Sequence, residues 1–159
     1  MVEQEILVST PDGKLDTFVC HPDEEGPHPI VVIYMDAPGI RDELREMASR
    51  LASVGYVVAL PNLYYRIGRE GHYGYDFAKI RSDDAHQKRM HECRLSLTNA
   101  TIVSDTESLL PALRAPIFKC SRTSFLIWSA TILLYTRMKD IYFCYINPYT
   151  CYVIDKSYE

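Results

Sequence analysis

The chain has 159 residues, 47% hydrophobic and 24% charged, which suits a single globular domain with a core of its own. Its net charge of −4 lacks the basic excess typical of nucleic-acid binding, so we expect no nucleic-acid partner. The acidic first residues do not resemble an export signal, so we expect a cytoplasmic protein whose five cysteines are reduced thiols.

A β-hairpin is predicted at the start of the chain. The apolar run 5–10 and the alternating run 15–22 flank the turn residues Pro11, Asp12 and Gly13. Two strands that can pair directly through so short a turn are expected to lie antiparallel.

A strand–helix–strand unit follows the hairpin. Residues 30–35 and 56–60 are unbroken apolar runs, typical of strands buried on both faces of a parallel sheet. Between them, residues 41–54 carry apolar side chains at helical spacing, and Gly55 lies where a helix end is expected. The pattern predicts a βαβ unit and therefore an α/β fold.

Two more helices are predicted after a long loop, residues 61–81. The first begins near Ser82, which is expected to be its N-cap. The second runs from about residue 99 to 113, and we expect Pro111 to bend it or end it early.

The composition changes near Leu113. Residues 1–113 carry a net negative charge and all seven glycines, whereas residues 114–159 are net basic, rich in aromatic residues and hold three of the five cysteines. We therefore predict an N-terminal part, 1–113, with an incomplete sheet, and an atypical tail, 114–159. In the tail, the apolar run 125–135 is too short to cross a bilayer, and residues 141–154 have strand propensity.

No metal or cofactor site is expected from the sequence. His86 and His91, with Glu92 and Cys93, are the only suggestive group, but a spacing of five residues points the two imidazoles to different sides of a helix. A phosphate-binding glycine loop is also missing from the sequence.

One stretch, residues 29–66, reads PIVVIYMDAPGIRDELREMASRLASVGYVVALPNLYYR. It resembles the dienelactone hydrolase family in its order of apolar strand, acidic residue, glycine-containing loop, amphipathic helix, Gly-Tyr, second apolar strand and P-x-L-Y-x-R. The resemblance extends over about residues 1–113. It implies an α/β-hydrolase fold and the hydrolysis of lactones or small carboxylic esters without a cofactor.

The resemblance also implies roles for Asp36 and Ala37. In the family, an acidic residue just after this strand lies beside the nucleophile, and the next backbone N–H belongs to the oxyanion hole. The family usually has Glu at the first position, and Asp is one methylene shorter. The alternative is that Asp36 only caps the turn into the helix, a common use of Asp.

By the same resemblance, an arginine after the second strand would bind a substrate carboxylate. Arg66, Arg69 and Arg81 are the candidates, and we favour Arg81 because it lies nearest the start of the next helix. Each of them could equally be a solvated surface arginine. Tyr64 and Tyr65 are expected to pack rather than to bind.

The nucleophile and the catalytic histidine have no counterpart. A G-x-[SC]-x-G turn should follow Leu113, yet no glycine occurs after Gly74. Cys120 is the thiol at a suggestive distance, but its neighbours are not glycines, so we do not expect it to be the nucleophile. The base should follow the nucleophile, and no histidine occurs after His91.

Our main hypothesis is a truncated, catalytically incompetent member of this hydrolase family, with a lactone or ester as its small-molecule partner if it is active. The alternative is a non-catalytic interaction or membrane-associated protein that uses the apolar tail, including for self-association. A third reading leaves the fold itself incomplete, with an open sheet edge after about four strands.

Overall fold

The structure is a computed structural model that describes the backbone of residues 1–24, 26–114, 120–129, 142–147 and 150–154. Side chains are described up to residue 114, with the same gap at position 25.

The predicted N-terminal hairpin is confirmed. Strand β1 (Val2–Thr10) pairs antiparallel with β2 (Gly13–His21) along its whole length, from Val2 opposite His21 to Thr10 opposite Gly13. The first strand begins three residues earlier than predicted because Val2 to Gln4 also pair with β2.

The βαβ unit is confirmed as well. Strands β3 (His28–Tyr34) and β4 (Val57–Pro61) are parallel neighbours, and helix α1 (Asp42–Ser53) connects them. Every residue of β4 is buried, which explains its unbroken apolar sequence. Gly55 has a φ of +104°, a conformation that favours glycine just after a helix.

Helices α2 (Asp84–Leu95) and α3 (Asn99–Leu113) occur close to their predicted positions, with two corrections. The N-cap of α2 is Asp83 rather than Ser82, since the Asp83 carboxylate accepts a hydrogen bond of 2.8 Å from the Ala85 N–H. Pro111 does not end α3, which continues to the fully buried Leu113. A proline in the last turn removes one backbone donor, and Leu113, two residues further on, is buried at the end of the helix.

The described strands form one mixed sheet in the order β1-β2-β4-β3-β5-β6-β7. Strand β5 (Cys120–Ser129) lies parallel to β3, β6 (Tyr142–Asn147) lies parallel to β5, and β7 (Thr150–Ile154) closes the order antiparallel to β6. The α/β class is therefore confirmed, and the sheet continues past β3 into the tail. Part of the apolar run 125–135 forms β5, and the rest of that run lies outside the described residues.

In the described part of the chain, the helices are too short or too polar to cross a membrane.

Candidate active site

A tight turn follows β3 at its carboxyl end. In this turn, residues 36–39 (the site turn), the Gly39 N–H donates a hydrogen bond of 2.9 Å to the Asp36 carbonyl, and Gly39 has a φ of +89°. Among the described residues, the Ala37 N–H has no hydrogen-bond acceptor. Ligands of open α/β sheets bind at the carboxyl ends of the strands, and the Ala37 N–H lies at that end of β3. Its role in an oxyanion hole stays a prediction.

The Asp36 carboxylate forms a two-point ion pair with Arg41. Nη1 of Arg41 contacts Oδ1, and Nη2 donates to Oδ2 over 2.8 Å. The hydrogen bonds that Arg41 donates to Asp36 raise the pKa of Arg41, and the nearby Asp36 and Glu43 charges act in the same direction. Arg41 is the N-cap position of α1 but its side chain caps nothing there, so Asp36 binds the start of this helix through Arg41 rather than through a backbone cap.

The hydroxyls of two tyrosines donate hydrogen bonds to carbonyls of the site turn. Tyr64 donates a hydrogen bond of 3.0 Å to the Ala37 carbonyl, and Tyr75 donates to the same carbonyl at 3.4 Å and to the Pro38 carbonyl at 3.0 Å. Burial raises the pKa values of Tyr64 and Tyr75, so both hydroxyls stay protonated donors. These bonds fix the orientation of the peptide after Ala37, and Tyr64 packs, as the sequence led us to expect.

Tyr73 explains why the site turn needs glycine. A Cβ built on Gly39 would lie 2.8 Å from the Tyr73 ring, closer than side chains tolerate. The Tyr73 ring also meets Tyr64 edge to face, with centroids 5.2 Å apart. The positive φ and the close ring therefore both select glycine here.

Asn62 organises the loop that carries these tyrosines, a role that was not predicted from the sequence. Its Nδ2 donates to the two carboxylate oxygens of Asp16 at 3.0 and 3.1 Å, while its Oδ1 accepts from the Tyr64 N–H and the Tyr73 hydroxyl, both at 3.0 Å. Asn62 is fully buried, so unmade bonds would be costly. The available signal was its place in the P-x-L-Y-x-R motif, directly after a buried strand.

The three candidate arginines have different surroundings. Arg66 makes a two-point ion pair with Asp105, whose side chain is 1% exposed, and also contacts Asp12 at 2.7 Å, so it is engaged in the fold. Hydrogen bonding to Asp105 is the main cause of the raised pKa of Arg66. Arg69 and Arg81 are exposed, and Arg81 lies in the turn before α2 with no ion pair to another described residue. The proposed role of Arg81 stays a prediction.

The register of β5 separates Cys120 from the site turn. Cys120 pairs with His28 at the start of β3, whereas Ser129 pairs with Tyr34 at its end. Cys120 thus lies beside the amino end of β3, whereas Asp36 follows its carboxyl end. That Cys120 is not the nucleophile stays a prediction. The residues that directly follow Ser129 lie outside the described part of the chain.

His86 is engaged in a backbone contact rather than in a metal group. Its Nδ1 accepts a hydrogen bond of 3.0 Å from the Asp76 N–H, while His91 is exposed on the same helix. The residues whose side chains are described contain no cluster of three or more His, Cys, Asp or Glu groups suited to a metal ion.

The described chain combines an N-terminal hairpin, a βαβ unit and the site turn at the carboxyl ends of the strands of a mixed sheet. These features are those of an α/β-hydrolase-type domain. The sequence model of the Dienelactone hydrolase family matches residues 15–119, about two thirds of the chain. The chain therefore belongs to the dienelactone hydrolase family. The match begins later than the range expected from the sequence and ends six residues beyond Leu113.

Similar proteins support the same assignment over limited lengths. A "Putative carboxymethylenebutenolidase" of Yersinia pestis is 29% identical over 65 residues, which are 40% of this chain and 24% of the relative. The protein of the same name from Escherichia coli K12 is 36% identical over 56 residues, 35% of this chain and 19% of its own length. The chain thus spans about a quarter or less of these curated relatives.

Among solved structures, the "Putative Dienelactone Hydrolase" of Klebsiella pneumoniae superposes with a TM-score of 0.62 at 21% identity, covering 81% of this chain and 49% of that chain. A cold-adapted esterase from an Arctic intertidal metagenomic library gives a TM-score of 0.53 at 15% identity, with 80% and 50% coverage. At these identities the likeness concerns the fold.

Proposed function

We propose that this chain supplies two groups of a site that hydrolyses lactones or esters: the Asp36 carboxylate and the Ala37 N–H as an oxyanion-hole donor. We also propose that the chain by itself does not hydrolyse these substrates. The observation behind the first part is the site turn, which presents the Ala37 N–H at the carboxyl end of β3 beside the paired Asp36 carboxylate. A preorganised donor at this place suits the negative oxygen of a tetrahedral intermediate.

The second part rests on the sequence beyond Leu113. A nucleophile on a strand-to-helix elbow needs the small residues of G-x-[SC]-x-G, and a downstream histidine must activate it. The chain has no glycine after Gly74 and no histidine after His91. We propose that residues after about 113 replace the family's usual continuation, and a G-x-C-x-G motif in another frame or exon of the transcript would support this.

Hydrolysis assays test the lack of turnover. We expect the pure chain to hydrolyse p-nitrophenyl acetate and a dienelactone no faster than buffer, and we expect Asp36→Asn and Cys120→Ala to match it. Turnover that survives Cys120→Ala but is lost in Asp36→Asn would show a working hydrolase, and turnover lost in Cys120→Ala would identify a thiol that we exclude.

Binding tests the site without requiring turnover. Titrating the chain with a carboxylate-bearing lactone should shift the amide resonances of Ala37 and Gly39. If Arg81 binds the carboxylate, Arg81→Ala should weaken the binding about tenfold or more, as expected for a lost charged hydrogen bond. Arg50→Ala is the matched control, because Arg50 is 82% exposed on α1 and pairs, among the described residues, with Glu46. The absence of any shift at the site turn would contradict the proposal.

A further inference from the structure

Helix α2 is attached through polar contacts to the loop before it. Cys93 is the one residue of this helix that is buried, so α2 presents no apolar stripe to the sheet. Its contacts run to the loop backbone: Arg89 Nε donates to the Tyr73 carbonyl at 3.0 Å, the Cys93 thiol lies 3.7 Å from the same oxygen, and His86 Nδ1 accepts from the Asp76 N–H. The attachment of α2 therefore depends on a few hydrogen bonds.

The loop residues held by α2 also cover the candidate active site. Residues 73–77, the covering segment, place the Tyr73 ring against Gly39 and the Tyr75 hydroxyl on the carbonyls of the site turn. The guanidinium of Arg41, which pairs with Asp36, lies over the Phe77 ring at 5.6 Å. Asp76 lies between Tyr75 and Phe77 in the chain, and its N–H donates a hydrogen bond to Nδ1 of His86.

The bond between Asp76 and His86 requires a neutral imidazole. A backbone N–H can only donate, so Nδ1 of His86 must carry a lone pair. Imidazolium has an N–H at both nitrogens and no acceptor, so protonation would set two donors against each other. Histidine is the side chain that ordinarily changes charge between about pH 5 and 8.

We propose that His86 is a pH-sensitive fastening of the covering segment at Asp76: neutral His86 accepts from the Asp76 N–H, and protonated His86 releases this N–H and loosens the segment at that position, while Tyr73 stays buried and bonded to Asn62. This inference goes beyond the proposed function, because the release needs neither substrate nor turnover. It assigns helix α2 a role in holding the part of the segment that carries Asp76.

Charged groups of both signs lie on α2 and in the loop before it. The Asp83 carboxylate lies 3.9 Å from Nε2 of His86, so it can pair with the imidazolium that has left the Asp76 N–H. The Asp76 carboxylate accepts from the Ala78 N–H and lies 3.7 Å from the Lys79 ammonium. Arg89, three residues after His86 on α2, lies 3.3 Å from Glu92. Asp83 therefore gives the released imidazolium a partner.

Amide hydrogen exchange measured by NMR on the whole chain tests the proposal. Between about pH 8 and about pH 5, the protection factor of the Asp76 amide, corrected for the intrinsic pH dependence of exchange, should fall roughly threefold to tenfold. In His86→Asn the side-chain oxygen can accept near the place of Nδ1 but does not titrate, so protection should persist at both pH values. His91→Asn, on the exposed part of the same helix, should keep the wild-type response.

Equal protection of Asp76 at both pH values in the wild type would overturn the proposal, as would a full pH response in His86→Asn. If His86→Asn lacks protection throughout, the ¹⁵N shifts of the wild-type His86 ring decide the matter. Loss of protection along the His86 titration supports the proposal, and loss along a different titration overturns it.

Discussion

Helices α1 and α2 both have 12 residues, yet different forces hold them in place. Helix α1 buries Leu44, Ala48 and Ala52 and has no side-chain N-cap, whereas α2 buries only Cys93 and is capped by Asp83. The free energy gained by burying apolar side chains does not depend on pH. A helix held in this way, such as α1, can do without a side-chain N-cap. A helix held by a cap and a few polar contacts can instead detach when one of those groups changes charge.

The largest expected effect comes from removing an apolar contact of α1. Leu44 is 3% exposed, so Leu44→Ala should lower the free energy of unfolding by about 2–5 kcal/mol, measured by urea denaturation. Leu95→Ala is the matched change on α2, where the side chain is 65% exposed, and it should change stability by less than about 0.5 kcal/mol. Equal losses in the two variants would remove the distinction between the helices.

An intermediate effect is expected at alkaline pH, where the stability of the fold should depend on the ionisation of Tyr34 in β3. Burial raises the pKa of Tyr34 to about 12, although its hydrogen bond of 2.5 Å to Thr106 acts against this. The folded state therefore holds this proton more tightly than the unfolded chain, whose tyrosines titrate near pH 10. Stability should be fully present below about pH 10 and should decrease by about 2–3 kcal/mol as the pH rises to about 12.

The variant Tyr34→Phe checks this assignment, since it keeps the ring and removes the ionisable hydroxyl. Urea denaturation at several alkaline pH values should show a shallower loss of stability for the variant. A loss identical to that of the wild type would assign the alkaline response to tyrosines outside the β3 core, such as those of the covering segment.

The smallest expected effect concerns the cap of α2. Asp83→Ala removes the hydrogen bond to the Ala85 N–H, and a lost N-cap costs about 0.5–2 kcal/mol. Because α2 is attached by polar contacts, the loss should appear as faster amide exchange within α2, with little change in the urea midpoint of the whole chain. Asp84→Ala, one position into the helix, is the control. If Asp83→Ala lowers the global midpoint as much as Leu44→Ala does, α2 unfolds together with the core.

Local patterns determined much of this protein before any contact was known. The hairpin follows from turn residues between two alternating runs, and the βαβ unit follows from two unbroken apolar runs around a helical period. These signals are predictive because each depends on residues a few positions apart. The stretch 29–66 likewise carries the family resemblance in one continuous run, and the family match over residues 15–119 confirmed it.

The sequence was less informative where the outcome depended on a choice between partners. Arg41 and Arg66 are both arginines near an acidic residue, but Arg66 binds Asp105, 39 positions away, and Arg41 binds Asp36. Helical spacing also places the N-cap of α2 only to within a residue, because Ser82 and Asp83 are both good caps.

The sequence by itself determined the fold class, the family and the site turn, since these depend on short-range periodicity and on one motif. The tertiary structure decided which groups meet across the chain: Asn62 with Asp16, Asp76 with His86, and Cys120 with the far end of β3. The physical reason is that a hydrogen bond or a strand register depends on distances of a few ångströms between segments, and only packing of the whole domain sets those distances.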